Sequence, residues 1–186
     1  LLDHWPDAAR ADLRILATDI DAQVIARAQS GLYDARTLEA EIPAEQRHHF
    51  TQSDPPAAGM LSVSPQIAAL IRYRRLNLHD PWPFRGLFDI IFCRNVVIYF
   101  DAESRRRLWQ RLAGQLVPGG RLFVGHSERI DPALVPILRP EGVTRYRRSE
   151  IAAPLPPLAA AGRDQARNGA TPAPDARATG RSIACP

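Results

Sequence analysis

A chain of 186 residues, 45% of them hydrophobic, is long enough for one domain with a genuine core. Its formal charge of +4 rests on arginine alone, since no lysine occurs, and no run approaches the ~18 continuous apolar residues of a membrane span. The two cysteines, Cys93 and Cys185, lie far apart, which argues against a disulfide framework and suits a reducing cytoplasm.

The chain opens on Leu1 rather than methionine, so it reads as a fragment or processed product. Its first seven residues have neither a basic start nor a long apolar run, unlike a signal peptide. Asp7–Asp12 reads as the end of a helix. Leu13–Ala17 reads as a short strand ending in Thr18-Asp19-Ile20-Asp21. Asp21 can cap a helix through Ser30, with Val24, Ile25 and Ala28 on its inner face and Gly31 closing it. A strand with an acid at its carboxyl end, followed by a helix, is one βα unit of a nucleotide-binding sheet. There the acid accepts hydrogen bonds from ribose hydroxyls. Asp19 fits that role, and it also fits a plain turn; the pattern alone leaves both open.

Arg36–Glu41 and a segment opened by Pro43 give two short helical patterns. His48 and His49 are adjacent, so their side chains should point about a helical step apart and face solvent. With no cysteine or second histidine pair at ligand spacing, no metal site is expected. Thr51–Gly59 is a loop or hairpin tip flanked by short β-like pieces. Ile71–Leu76 alternates apolar and basic residues and reads as a strand that delivers Asn77-Leu78. Asp80-Pro-Trp-Pro is a turn.

Phe88–Cys93 is apolar apart from Asp89, the pattern of a strand buried on both faces. At Arg94-Asn95 the polarity changes abruptly, where such a strand delivers its carboxyl end to a ligand crevice. Asp101 should cap a helix through about Val117. Leu108, Leu112 and Leu116 form its apolar row, with Trp109 alongside and Arg105–Arg107 and Arg111 mostly outward. Arg121–Gly125 is a strand ending in His126-Ser127-Glu128, and residues 137–148 form a last hairpin with Val143–Tyr146 as its clearest strand. Residues 149–186 read as a tail or linker. From Ile151 onward alanine, proline, glycine and arginine dominate without periodicity. Arginine runs at Arg72/Arg74/Arg75, Arg105–Arg107 and Arg145/Arg147/Arg148 would suit an acidic partner. Solvated faces explain them more simply, and no nucleic-acid partner is expected.

Several strings line up in order: Thr18-Asp-Ile-Asp21, Ala28-x-Ser-Gly-x-Tyr33, Asn77-Leu78, Phe88-Asp-x-Ile-Phe-Cys-Arg-Asn-Val-x-Ile-Tyr-Phe100 and Gly125-His-Ser-Glu128. Over residues 1–148 they resemble the bacterial CheR family, chemotaxis protein-glutamate O-methyltransferases that use S-adenosylmethionine. The resemblance implies an α/β fold: a truncated Rossmann-like methyltransferase sheet with a small antiparallel β insertion at about residues 50–70 and Gly59 at its hairpin. It also implies that Asp19 holds the ribose hydroxyls and that Asn77-Leu78 flanks the adenine. Arg94-Asn95 would line the cofactor and transfer site, with Tyr99 beside it; Arg94 and Tyr99 are the catalytic candidates. A methyl-accepting chemotaxis receptor is the implied partner, and the insertion would dock its carboxyl-terminal peptide. The protein itself is expected to be a monomer.

The family begins with a small helical domain, a first strand and a glycine- and acid-containing loop. These would precede Leu1, so the chain is expected to be the carboxyl-terminal two thirds of such an enzyme. Other classes fit less well. A nicotinamide dehydrogenase needs G-x-G-x-x-G, and a serine hydrolase of the α/β type needs G-x-S-x-G; neither occurs. The remaining alternative is a catalytically dead module that captures a receptor peptide.

Overall fold

The computed structural model describes residues 2–5, 11–53 and 58–150. Most of the helix end expected at 7–12, and the tail from residue 151, lie outside these.

The first βα unit forms as its sequence dictates. Strand β1 is Ile15–Asp19, two residues later than the pattern suggested, and helix α1 is Ala22–Ser30. Asp21 caps α1 by accepting from the Gln23 amide at 2.7 Å. Gly31 ends it at φ +63°, the left-handed conformation that glycine adopts without strain. Only Ile25 of the expected inner face is fully buried; Val24 is exposed. Helix α2 (Ala35–Glu41) follows a short strand, β2 (Leu32–Asp34), and a 3₁₀ helix spans Ala44–His49. His48 and His49 do not diverge as adjacency predicts. The helix ends on this pair, Phe50 is already extended, and both rings turn to Asp3.

Strands β3 (Phe50–Gln52) and β4 (Met60–Val63) pair antiparallel. The small sheet also takes in β2, in the order β2-β4-β3, so it starts earlier in the chain than residue 50. Helix α3 (Pro65–Leu70), capped by Ser64, returns the chain to β5 (Ile71–Arg75), which lies parallel to β1.

The remaining strands, β6 (Phe88–Cys93), β7 (Leu116–Val124), β8 (Leu138–Pro140) and β9 (Arg145–Arg148), form a third sheet in the order β6-β7-β9-β8. The β6–β7 pair is parallel and the others antiparallel. Helix α4 (Ala102–Gln115) connects β6 to β7, and Asp101 caps it by accepting from the Ser104 amide at 2.9 Å. The helix stops two residues short of Val117. Leu116 is the first strand residue, yet it is fully buried, as its place in the apolar row required. Trp109, Leu108 and Leu112 pack with Leu122, Val124, Leu134 and Leu138 into the main core.

One expectation is corrected on β6. Its apolar run is not covered on both faces: Ile90 is 51% and Phe92 68% exposed. β7 is its only sheet neighbour, so β6 is an edge strand and half of its apolar surface lacks a covering layer among the described residues. Phe92 stacks on Phe123 instead, with ring centroids 4.8 Å apart. Among the described residues, no helix is long and apolar enough to cross a membrane.

Candidate active site

The segments that follow β5 and β6 are fastened together. In the β1–β5 pair Asp19 stands opposite Arg75, and the Leu76 amide donates to the Asp19 carbonyl at 2.8 Å. Asp19 is thereby adjacent to Leu76-Asn77-Leu78. From there the chain crosses to the four-stranded sheet. Leu78 and Trp82 pack against the main core, and His79 stacks on Phe100, seven residues beyond β6, at 4.6 Å. The loop that leaves β5 beside Asp19 is thus tied to the segment that leaves β6, and open α/β sheets bind ligands beyond such carboxyl ends.

Arg111 of α4 locks this crossing. It was expected to face outward. Instead its guanidinium lies 4.0 Å over the Trp82 ring and donates to the carbonyls of Leu78, at 2.5 Å, and Asp80. Burial lowers its pKa, and the charge of Asp80 opposes that shift. A planar cation that stacks on an aromatic face while donating to two carbonyls is a task suited to arginine rather than lysine.

Beyond β6 the chain turns sharply at Arg94-Asn95. Asn95 is the only non-glycine residue with a positive φ among the described residues, at +58°. Asparagine is among the few side chains that tolerate this region. The turn is held by Glu128, which is only 2% exposed. Its Oε1 accepts from the amides of Val96 and Val97, both at 2.9 Å. Its Oε2 accepts from the amides of Asn95 at 3.1 Å and Gly125 at 2.6 Å. Gly125 has no room for a side chain: a Cβ there would lie 2.6 Å from Asn95 Oδ1 and 2.8 Å from Glu128 Oε2. Sequence reasoning quoted Gly125-His-Ser-Glu128 but gave Glu128 no role. The available signal was an acid just beyond a buried strand.

The predicted site residues occupy this rim in different ways. Asp19 is half-buried, and its Oδ1 accepts from the Asp21 amide at 2.8 Å. Asn77 uses its Oδ1 to accept from the His79 amide at 3.0 Å. Arg94 is exposed and forms no ion pair among the described residues. Tyr99, in the 3₁₀ turn Val97–Tyr99, is 87% exposed and stands clear of the crossing. Cys93, the last residue of β6, is buried; burial, with the Glu128 charge adding to it, pushes its thiol pKa up to about 12. The thiol is therefore no nucleophile at neutral pH. A cleft of about 360 Å³ is lined by Val97, Ile98, Ser127 and Trp109, with Arg105, Arg106 and Arg129 on its walls.

The family description "CheR methyltransferase, SAM binding domain" matches residues 1–142. The chain is 43% identical over 147 residues to a probable chemotaxis protein methyltransferase of Rhizobium etli, covering 79% of this chain and 55% of the relative. It is 40% identical to the chemotaxis protein methyltransferase of Klebsiella aerogenes, over 62% of this chain and 40% of that protein. To chemotaxis protein methyltransferase 1 of Pseudomonas aeruginosa it is 37% identical, over 66% and 44% respectively. The chain thus spans about half the length of the curated relatives it matches.

Proposed function

We infer this chain's function from one premise: it belongs to the CheR methyltransferase family. The proposed activity is methyl transfer from S-adenosylmethionine to glutamate side chains of a chemotaxis receptor. The observation that carries it is the loop after β5, which leaves from beside Asp19, carries Asn77-Leu78, and is fastened to the segment after β6 by the His79–Phe100 stack and to α4 by Arg111.

The residues at that junction suit the cofactor. Asp19 is an acceptor-only group at a strand end. One of its oxygens is taken up by the Asp21 amide, and the other is left for the ribose hydroxyls. Leu78 packs with the core and presents an apolar wall for the adenine. Asn95, fixed by Glu128, holds the turn so that the adjoining Arg94 cation can orient a carboxylate. S-adenosylmethionine, when bound, supplies a methyl group on a positively charged sulfur, and its transfer to a carboxylate oxygen leaves a neutral thioether and a methyl ester. A glutamate side chain, with a reference pKa near 4.3, is already ionised at neutral pH, so this chain needs no general base. Its task is positioning, which can supply roughly 7–11 kcal/mol of barrier reduction. Tyr99, 87% exposed, is the proposed contact for the incoming substrate.

The three-stranded sheet β2-β4-β3 is the proposed docking place for a receptor carboxyl-terminal peptide. Its outer strand β3 pairs with β4 on one side and has no second strand neighbour among the described residues, so an extended peptide can add there as a further strand. Titration with labelled receptor peptides tests this, and absence of binding to any cognate sequence at millimolar concentration refutes it.

The cofactor reading is tested by calorimetry on the chain and on a version extended upstream to the length of its relatives. Asp19→Ala should weaken S-adenosylmethionine binding by about ten- to a hundredfold in the extended protein, the loss of one or two charge-assisted hydrogen bonds. An extended protein indifferent to the substitution would overturn the ribose assignment.

A further inference from the structure

Far from the strand ends in sequence, three side chains share one point in space. His48 Nε2 lies 3.1 Å and His49 Nε2 2.9 Å from the same atom, Asp3 Oδ1. The two imidazole centroids are 3.9 Å apart, with the rings inclined by 41°. His48 Nδ1 is 2.6 Å from the Glu45 carbonyl. A carbonyl only accepts, so Nδ1 carries the proton, and in the neutral ring Nε2 bears the lone pair. That lone pair then faces a carboxylate oxygen, acceptor against acceptor. A cation lying among the three groups turns this conflict into coordination.

We propose that Asp3, His48 and His49 bind a first-row divalent transition-metal ion of the zinc class, with water completing the coordination. Two imidazoles and a carboxylate form a ligand set that zinc accepts, whereas magnesium and calcium prefer oxygen donors throughout. Bonds of about 2.0–2.1 Å at tetrahedral angles separate neighbouring ligand atoms by roughly 3.3 Å. The observed separations from Asp3 differ from this by a few tenths of an ångström, and the three ligand atoms all lie within 4.8 Å of one another. The Glu45 carbonyl fixes the His48 tautomer, as an outer partner of a ligating histidine does. The His49 side chain is 18% exposed, Asp3 37% and His48 59%, so one flank stays open for water.

None of the three residues belongs to the strand-end junction, so the ion's role is structural. It fastens the segment around Asp3 to a helix 45 residues further along the chain. The proposal does not depend on the methyl-transfer reading.

Calorimetric titration of Zn²⁺ into the full chain, with Mg²⁺ in parallel, tests it. One Zn²⁺ per chain should bind in the micromolar range or tighter, with no comparable Mg²⁺ binding. His48→Ala, His49→Ala and Asp3→Asn should each weaken it at least about tenfold, while His79→Ala keeps the parent affinity. All four positions are exposed or half-buried, so the variants should fold, and a thermal transition raised by Zn²⁺ in the parent alone gives a second readout. Absence of Zn²⁺ binding, binding that survives all three ligand substitutions, or equal loss in His79→Ala would overturn the site.

Discussion

Glu128→Gln is the most informative single change, because it preserves shape and removes only charge and one acceptor. In the parent, one buried carboxylate accepts from four backbone amides, two on each oxygen. A glutamine can satisfy only two of them. Its amide nitrogen is forced against the other two, donor against donor, with no side-chain alternative in reach. Hydrogen bonds to a charged group contribute about 1.5–3 kcal/mol each, and two lost bonds give a cost of about 3–6 kcal/mol. That is a large part of the 5–15 kcal/mol that typically holds a domain together. Urea unfolding should therefore show a lower midpoint at unchanged slope. Hydrogen exchange should show faster exchange at Val96, Val97 and Gly125 than at the amides of the β7–β9 ladder. Glu128→Asp retains the charge but pulls it back by one methylene, so its loss should fall between those of the parent and Glu128→Gln. A Glu128→Gln protein less than about 1 kcal/mol below the parent would refute the argument that this carboxylate builds the turn.

Arg111→Lys should behave as a disruptive change: an ammonium cannot stack over Trp82 while donating to both Leu78 and Asp80 carbonyls. Trp82 fluorescence should shift to the red and proteolysis within residues 76–86 should accelerate; an unchanged digestion pattern would refute the clamp. In a Cys185→Ser background, Cys93 should resist a thiol reagent at pH 8 and react fully in guanidinium, since its folded pKa is about 12. A folded pKa above the unfolded value means that its stability contribution is complete below about pH 8.5 and is lost as the pH rises toward 12. Cys93→Ala should flatten that alkaline decline, and an identical decline in the variant would refute the assignment.

What the sequence made legible were features written in local spacing. The caps at Asp21 and Asp101, the glycine stop at Gly31 and the polarity break at Arg94-Asn95 all depend on near neighbours, and all appear where the pattern puts them. The apolar row of α4 was legible for the same reason, even though Leu116 proved to be strand. The errors are non-local. Phe92 was expected inside because a six-residue stretch that is apolar apart from one acid usually implies two covering layers. The run itself says nothing of how many neighbours the strand will find. Arg111 lies on the polar side of the helical pattern, and only the return of Trp82 and the Leu78–Asp80 carbonyls gives it an inward task. His48 and His49 were assigned directions about a helical step apart by helical geometry, which stops applying at the last turn of a helix.

Glu128 shows why such a residue escapes sequence reading while deciding the site. An acid that pairs with an arginine leaves two traces in a sequence; one that pairs with backbone amides leaves only its own. Three of its four partners, Asn95 to Val97, lie 31 to 33 residues earlier and bond to it through backbone amides rather than side chains. The arrangement has a physical advantage for a binding rim. A non-glycine residue in the left-handed region costs of order 1–3 kcal/mol, less for asparagine. Four bonds to one buried charge outweigh that cost without using any side chain of the turn. Arg94 thus has no ion-pair partner among the described residues, with its charge available to a carboxylate, while the backbone that carries it is already fixed. The strain at Asn95 and the nest around Glu128 are two halves of one device: the first aims the turn, and the second keeps it aimed.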